Sequence, residues 1–152
     1  VVLSAALEPG ADWDGLADVA VALQPSAERL REVVEQGAAF ARAVAALTGA
    51  EAVARPLPVA VGAAAAGLGL EKRAVIALYL HGFASNLVSV AVRFVPLGQT
   101  DGQGALAQLH PLIAQLAEEA AGLGIADIGS AALGADLAAM RHEGMDVRIF
   151  KT

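Results

Sequence analysis

Cysteine is absent from the 152-residue chain, which excludes disulfides, thiolate nucleophiles and thiolate metal ligands and leaves the redox compartment open. Aromatic residues make up 4% against 57% apolar residues overall, so any core must be assembled from Ala, Leu and Val through close approach of the backbone. Basic residues are outnumbered, 10 Lys and Arg against 16 Asp and Glu. A net charge of -6 and a pI near 4.9 argue against general nucleic-acid binding. The phosphate-binding sequence G-x-x-x-x-G-K-[ST] is missing, as are G-x-S-x-G, H-E-x-x-H and the G-x-G-x-x-G dinucleotide spacing. No P-loop hydrolysis, nucleophile elbow or zincin chemistry is therefore read from these residues.

What is present is alanine, the best helix former, in runs between Gly and Pro that are too long for strands. An all-α fold follows: a compact single-domain bundle over residues 1–152 with a long buried central helix. The N-terminus VVLSAALEPGADWDG has no basic n-region and only a short apolar run, unlike a signal peptide. Because the chain starts at Val1, a missing N-terminal piece is expected.

The central stretch, Glu71 to Pro96, carries no charge between Ala74 and Val92 and is long enough to be a membrane-span candidate. His81, Ser85, Ser89 and Arg93 recur every four residues with Gly82 and Asn86 beside them, so a helix gathers them into one polar stripe. That stripe, with charged flanks at both ends, favours a helix inside a protein; detergent-dependent solubility would be the signature of the membrane alternative. A second rival is a small-ligand protein whose pocket is lined by His81 and Ser85. The plainer reading of His81 is a hydrogen-bonded core histidine.

Elsewhere, Asp12 to Leu23 sets Leu16, Val19, Ala20 and Leu23 on one helical face with Asp12 as N-cap. Ser26 caps the next helix, which runs to about Thr48 with Leu30, Val33, Gly37, Phe40, Val44 and Leu47 as a packing seam. Gly37 weakens a helix by about 1 kcal/mol relative to Ala, so a neighbouring backbone is expected there. After a Pro-containing connection from Glu51 to Pro58, Val59 to Gly67 reads as a short helix of small residues. Thr100 and Gln103 fit a capping box opening a helix that packs through Leu106, Leu109, Leu112, Ile113 and Leu116, with Pro111 kinking or restarting it. A loop from Leu123 to Ser130 leads to a last helix with Leu133, Leu137 and Met140. The three histidines, His81, His110 and His142, lie in different segments without ligand spacing. A metal site would need the fold, or a dimer, to assemble it.

The segments SAERLREVVEQGAAFARAV, LPVAVGAAAAGLGL, ALYLHGFASNLVSVAVRFVPLGQTDGQ and DLAAMRHE resemble the UreF family of urease accessory proteins. Its C-terminal run is close to D-I-A-S-M-R-H-E followed by T-Q-Y-T-R-L-F-R-S. Arg141, His142 and Glu143 match residue for residue, while Gly144, Met145 and Asp146 replace Thr-Gln-Tyr. The family's N-terminal Ser/Tyr-Ser-x-Gly-Leu-Glu stretch is not found. The resemblance implies an all-helical, cytoplasmic, dimeric protein that is not an enzyme and binds no cofactor directly. It implies a place between UreD (also called UreH) and the GTPase UreG in the GTP-dependent complex that delivers nickel to apo-urease, with no nucleic acid or membrane as partner. By the same resemblance the tail from Met140, including Arg141, His142, Glu143, Arg148, Ile149 and Phe150, docks on UreD. Arg93, Gly98 and Gln99, at the end of the central helix, face UreG.

Overall fold

The computed structural model of the chain describes residues 1–130 and 132–146. Its elements in order are α1 (Val2–Ala6), α2 (Trp13–Ala22), α3 (Ala27–Thr48), α4 (Leu57–Ala65), α5 (Lys72–Phe94), α6 (Gln99–Ala121), a 3-10 turn (Ile125–Asp127) and α7 (Leu133–Glu143), and no strand occurs among the described residues. The all-α reading holds. The chain packs as two compact units, one formed by Val1–Leu68 with the chain from Gly124 onward, the other by Gly69–Leu123.

In the first unit α4 is the element against which α1, α2 and α3 pack. It begins at Leu57, two residues before the expected Val59, because Pro58 fits a first turn that needs no amide donor there. Val59 and Ala6 are fully buried, with Leu16 and Ala20 beside them. The backbones come close where side chains are smallest: a Cβ placed on Gly62 would lie 2.4 Å from the Ala6 Cβ. Trp13 covers this cluster and its indole Nε1 donates to the Ala6 carbonyl at 3.0 Å. The Arg55 guanidinium stands over the Trp13 ring, 5.6 Å from its centroid, and donates to Asp14 at 3.0 Å.

The backbone expected at Gly37 is the segment Arg55 to Leu57. A Cβ on Gly37 would lie 1.9 Å from the Arg55 carbonyl oxygen and 2.7 Å from the Leu57 nitrogen. Both expected caps form: the Asp12 carboxylate accepts from the Gly15 amide at 3.0 Å and the Ser26 hydroxyl from the Arg29 amide at 3.2 Å. Helix α3 ends at Gly49, whose φ of 75° lies in the left-handed region that glycine tolerates. The seam along α3 stops short of its expected end. Leu30, Val33, Phe40 and Val44 are half-buried, but Leu47 is 87% exposed, one turn beyond the reach of α4.

The second unit is an antiparallel hairpin of α5 and α6. Arg73 pairs with Glu118 at 2.6 Å, the His81 and His110 rings adjoin, and Val88 and Val92 meet Gly102, so the pairs run in opposite directions along the two helices. Glu118, through its hydrogen bond, and Glu71, through its charge, hold the Arg73 guanidinium further toward its charged form. The hairpin core is Val75 and Ile76 from α5 with Leu106, Ile113 and Ala117 from α6.

Four sequence expectations are corrected here. Burial on α5 is confined to Val75 and Ile76, while Leu78 (70%), Phe83, Leu87 and Phe94 are exposed, because one partner helix can cover only one stripe. Helix α5 is the one described helix long and apolar enough to cross a membrane. On α6 the seam runs through Gly102, Leu106, Ile113 and Ala117, with Leu112 and Leu116 exposed, because the small residues let the helices approach more closely than leucines would. Gln99 already lies inside α6, whose N-cap is Gly98, so no Thr100–Gln103 capping box forms. Pro111 likewise does not restart the helix, which runs unbroken to Ala121.

The Gly37 contact yields a test. Ala normally stabilises a helix by about 1 kcal/mol over Gly, yet Gly37→Ala must displace the backbone at Arg55 to Leu57 and is expected to lose about 1–3 kcal/mol net. Gly102→Ala meets only side-chain methyls, of Val92 and Val88, and no backbone and should lose less. Urea melts of the two variants measure this; a Gly37→Ala protein as stable as the parent would show that the approach is not a constraint.

Candidate functional site

Helix α7 has the charge order a helix favours, with Asp136 in its first turn and Arg141 and His142 in its last. Gly144 follows as its C-cap. Met140 to Glu143, expected as the start of a tail, are thus the final turn of a helix. Two of these residues face inward. The Glu143 carboxylate accepts the Glu28 amide at 3.0 Å, and His142 Nδ1 stands 2.6 Å from the Glu28 carboxylate. The Glu28 amide belongs to the first turn of α3, where donors have no partner within the helix. Glu143 therefore caps α3 from a distant part of the chain, and its negative charge suits the helix N-terminus. An ionised Glu28 carboxylate only accepts, so the contact is a hydrogen bond when Nδ1 of His142 carries a proton to donate.

The other two residues of the turn point away from this contact, and Met140 and Arg141 are exposed. With Leu133 (71% exposed) and Leu137 (53%), Met140 follows the i, i+4, i+7 spacing of one helical stripe. An apolar row of this size beside a cation is an interaction surface in chemical character. Arg148, Ile149 and Phe150, the remainder of the expected UreD surface, lie outside the described residues.

The second expected surface is at the α5–α6 turn. Arg93 is exposed in the last turn of α5, where a cation complements the helix dipole. Gly98 is the N-cap of α6 in extended conformation (φ -68°, ψ 155°), its carbonyl accepts the Gly102 amide at 2.9 Å, and Gln99 opens the helix. All three residues thus sit on one end of the hairpin, exposed.

Among the described residues no group of three or more His, Asp or Glu is placed to hold a metal ion. The fold does bring two imidazoles together: the rings of His81 and His110 lie 5.4 Å apart between centroids, tilted by 44°. Sequence reasoning missed both this pairing and the Glu28 contact. The first depends on the register of the hairpin and the second on residues at opposite ends of the chain, so neither leaves a local spacing to read.

Comparison with known proteins places these features. The UreF family model matches residues 1–110. A protein of Cereibacter sphaeroides strain KD131 named urease accessory protein UreF is 65% identical over all 152 residues, which correspond to 72% of its own length. Proteins of the same name from Jannaschia sp. strain CCS1 and Paracoccus denitrificans strain Pd 1222 are each 52% identical over the whole chain, which corresponds to 69% and 71% of their lengths. With a family model spanning well over half of the residues and relatives alike from end to end, the chain belongs to the UreF family.

Proposed function

We propose that this chain is a scaffold in the complex of UreD (UreH), UreF and UreG that promotes GTP-dependent nickel insertion into apo-urease, and that it modulates the GTPase of UreG. It works in the cytoplasm as a homodimer, without nucleic acid or membrane. It supplies no catalytic group and holds no tightly bound cofactor; the nickel and the GTP belong to the complex. What carries the reading is likeness over the whole chain to proteins named urease accessory protein UreF. The exposed apolar side chains of α5 support assembly with further polypeptide, since Leu78, Phe83 and Leu87 are left uncovered by α6.

The UreD-facing surface is Met140, Arg141, His142 and Glu143 with Arg148, Ile149 and Phe150. In this reading His142 and Glu143 hold the final turn of α7 on α3 while Met140 and Arg141 face the partner, so part of the ordering cost is met before the partner arrives. The UreG-facing surface is Arg93, Gly98 and Gln99, where a cation beside a helix start attracts acidic groups and steers association.

Capture experiments with UreD and UreG test the assignment. The full chain should retain both, and deletion from Met140 onward should abolish UreD capture while far-ultraviolet circular dichroism still reports a helical protein; undiminished capture by the deleted form removes this segment from the mechanism. Arg93→Glu should spare UreD and weaken UreG coupling, read as slower urease activation, and normal activation in that variant would return Arg93 to a purely structural role. The paired change His142→Ala with Glu143→Ala removes two charge-assisted hydrogen bonds, and UreD affinity should fall about tenfold, equivalent to about 1.4 kcal/mol. Amide exchange in the free protein should accelerate along α7 in the same variant. Unchanged exchange there would mean that the contact with Glu28 does not hold the helix.

A further inference from the structure

A glutamate on the first turn of a long helix is ordinarily solvated, yet the Glu28 side chain is only 13% exposed. A carboxylate so far removed from water needs a partner. Its charged neighbours on α3 are engaged with one another, Arg29 with Glu32 and Glu32 also with Gln36. Glu28 turns instead to the last turn of α7, where His142 Nδ1 stands 2.6 Å from its carboxylate and Glu143 accepts its amide at 3.0 Å. On α7 itself no described residue is fully buried. The partly covered side is Asp136, Ala139, His142 and Glu143, while Leu133, Leu137 and Met140 are exposed. The helix therefore lies with polar groups inward and apolar groups outward, the reverse of what burial of apolar surface would choose. Ala139 offers little area to oppose that preference, so the grip on Glu28 decides which side faces out.

We propose that Glu28 is a positioning residue for α7: through its amide and carboxylate together it sets the rotation of this helix about its own axis and so turns Leu133, Leu137, Met140 and Arg141 outward. The two contacts meet successive residues, which project about 100° apart around a helix. A single bond would be a pivot about which α7 could roll; two bonds at that angle are not. Both come from one residue of α3, so the orientation of a C-terminal surface depends on a position 114 residues earlier in the chain. That this outward face is the one offered to UreD rests on the proposed function; the positioning itself does not.

Amide exchange in the free, full chain tests the assignment. Glu28→Pro removes the amide and the carboxylate together, and proline suits the second position of a helix, which Pro58 occupies in α4. Exchange along α7 should accelerate about tenfold in this variant while α3 keeps its protection. Adding His142→Ala and Glu143→Ala to it should change α7 no further, because both residues act through Glu28. Glu28→Gln keeps the amide and a side-chain acceptor and should stay within about threefold of the parent. Unchanged exchange along α7 in Glu28→Pro, or effects of the two sets of substitutions that simply add, would overturn the role of Glu28. If α3 loses protection in Glu28→Pro, Glu28→Ala combined with His142→Ala makes the same comparison on the carboxylate alone, with the same two readings. A parent chain that captures no UreD overturns the proposed function instead, since the exchange measurement involves no partner.

Discussion

The structure rests on close contact between backbones at positions without side chains. An alanine-rich chain with very few aromatic residues cannot fill the space between helices lying at ordinary distance, because each buried Ala removes little surface from water while each Val, Leu or Ile contributes about 1.5–3 kcal/mol when fully buried. The helices must therefore approach until alanine suffices. Gly37 beneath the Arg55–Leu57 segment, Gly62 against Ala6 and Gly102 against Val92 are the three places where this happens. Many of the buried residues are themselves small: Ala6, Ala20, Val59 and Ala60 in one unit and Ala117, beside Leu106 and Ile113, in the other. A single methyl displaces backbone at Gly37 and Gly62 and the valine side chains at Gly102, and tight packing transmits that displacement.

This mode of packing has a consequence for the surface. Narrow seams of small residues use little of each helix circumference, so large apolar side chains elsewhere on the same helices are left largely exposed among the described residues. On α5 these are Leu78, Phe83 and Leu87; on α7 they are Leu133, Leu137 and Met140. Scattered exposed leucines such as Leu78 are ordinary, but rows at helical spacing, Phe83 and Leu87 on α5 and Leu133, Leu137 and Met140 on α7, are not. Such rows are apolar helix faces presented outward, the chemical character of an interaction surface.

Much of the fold was legible because it is written in local signals. Asp12 and Ser26 cap where a short polar side chain precedes an apolar period, Gly49 ends α3, and Gly37 announced a close neighbour by its cost in a helix interior. The misplaced seams share one cause: sequence pattern points to the largest side chains, Leu47, Leu112 and Leu116, whereas the closest contacts run through glycine and alanine. Thr100 and Gln103 have the spacing of a capping box, but Gly98 and Pro96 set the helix start earlier, so Thr100 falls in its first turn. The motif DLAAMRHE was legible as a motif, yet its division into inward His142 and Glu143 and outward Met140 and Arg141 was not, since nothing in the local sequence indicates that Glu28 is their partner.

That division has a physical logic that reaches beyond this helix. The first turn of α3 offers amides that its own helix cannot satisfy; Ser26 takes the Arg29 amide, and without another acceptor the Glu28 amide would depend on water. By supplying that acceptor from α7, Glu143 ties the position of a C-terminal helix to the start of α3. His142 then occupies the Glu28 carboxylate, so Glu28 is engaged through both its backbone and its side chain. The polar contacts of α7 with α3 are thus on its inner side, while Leu133, Leu137, Met140 and Arg141 are exposed. A helix held at one face and unsatisfied at the other has its orientation decided before any partner binds, which separates the task of positioning this surface from the task of recognising what docks on it.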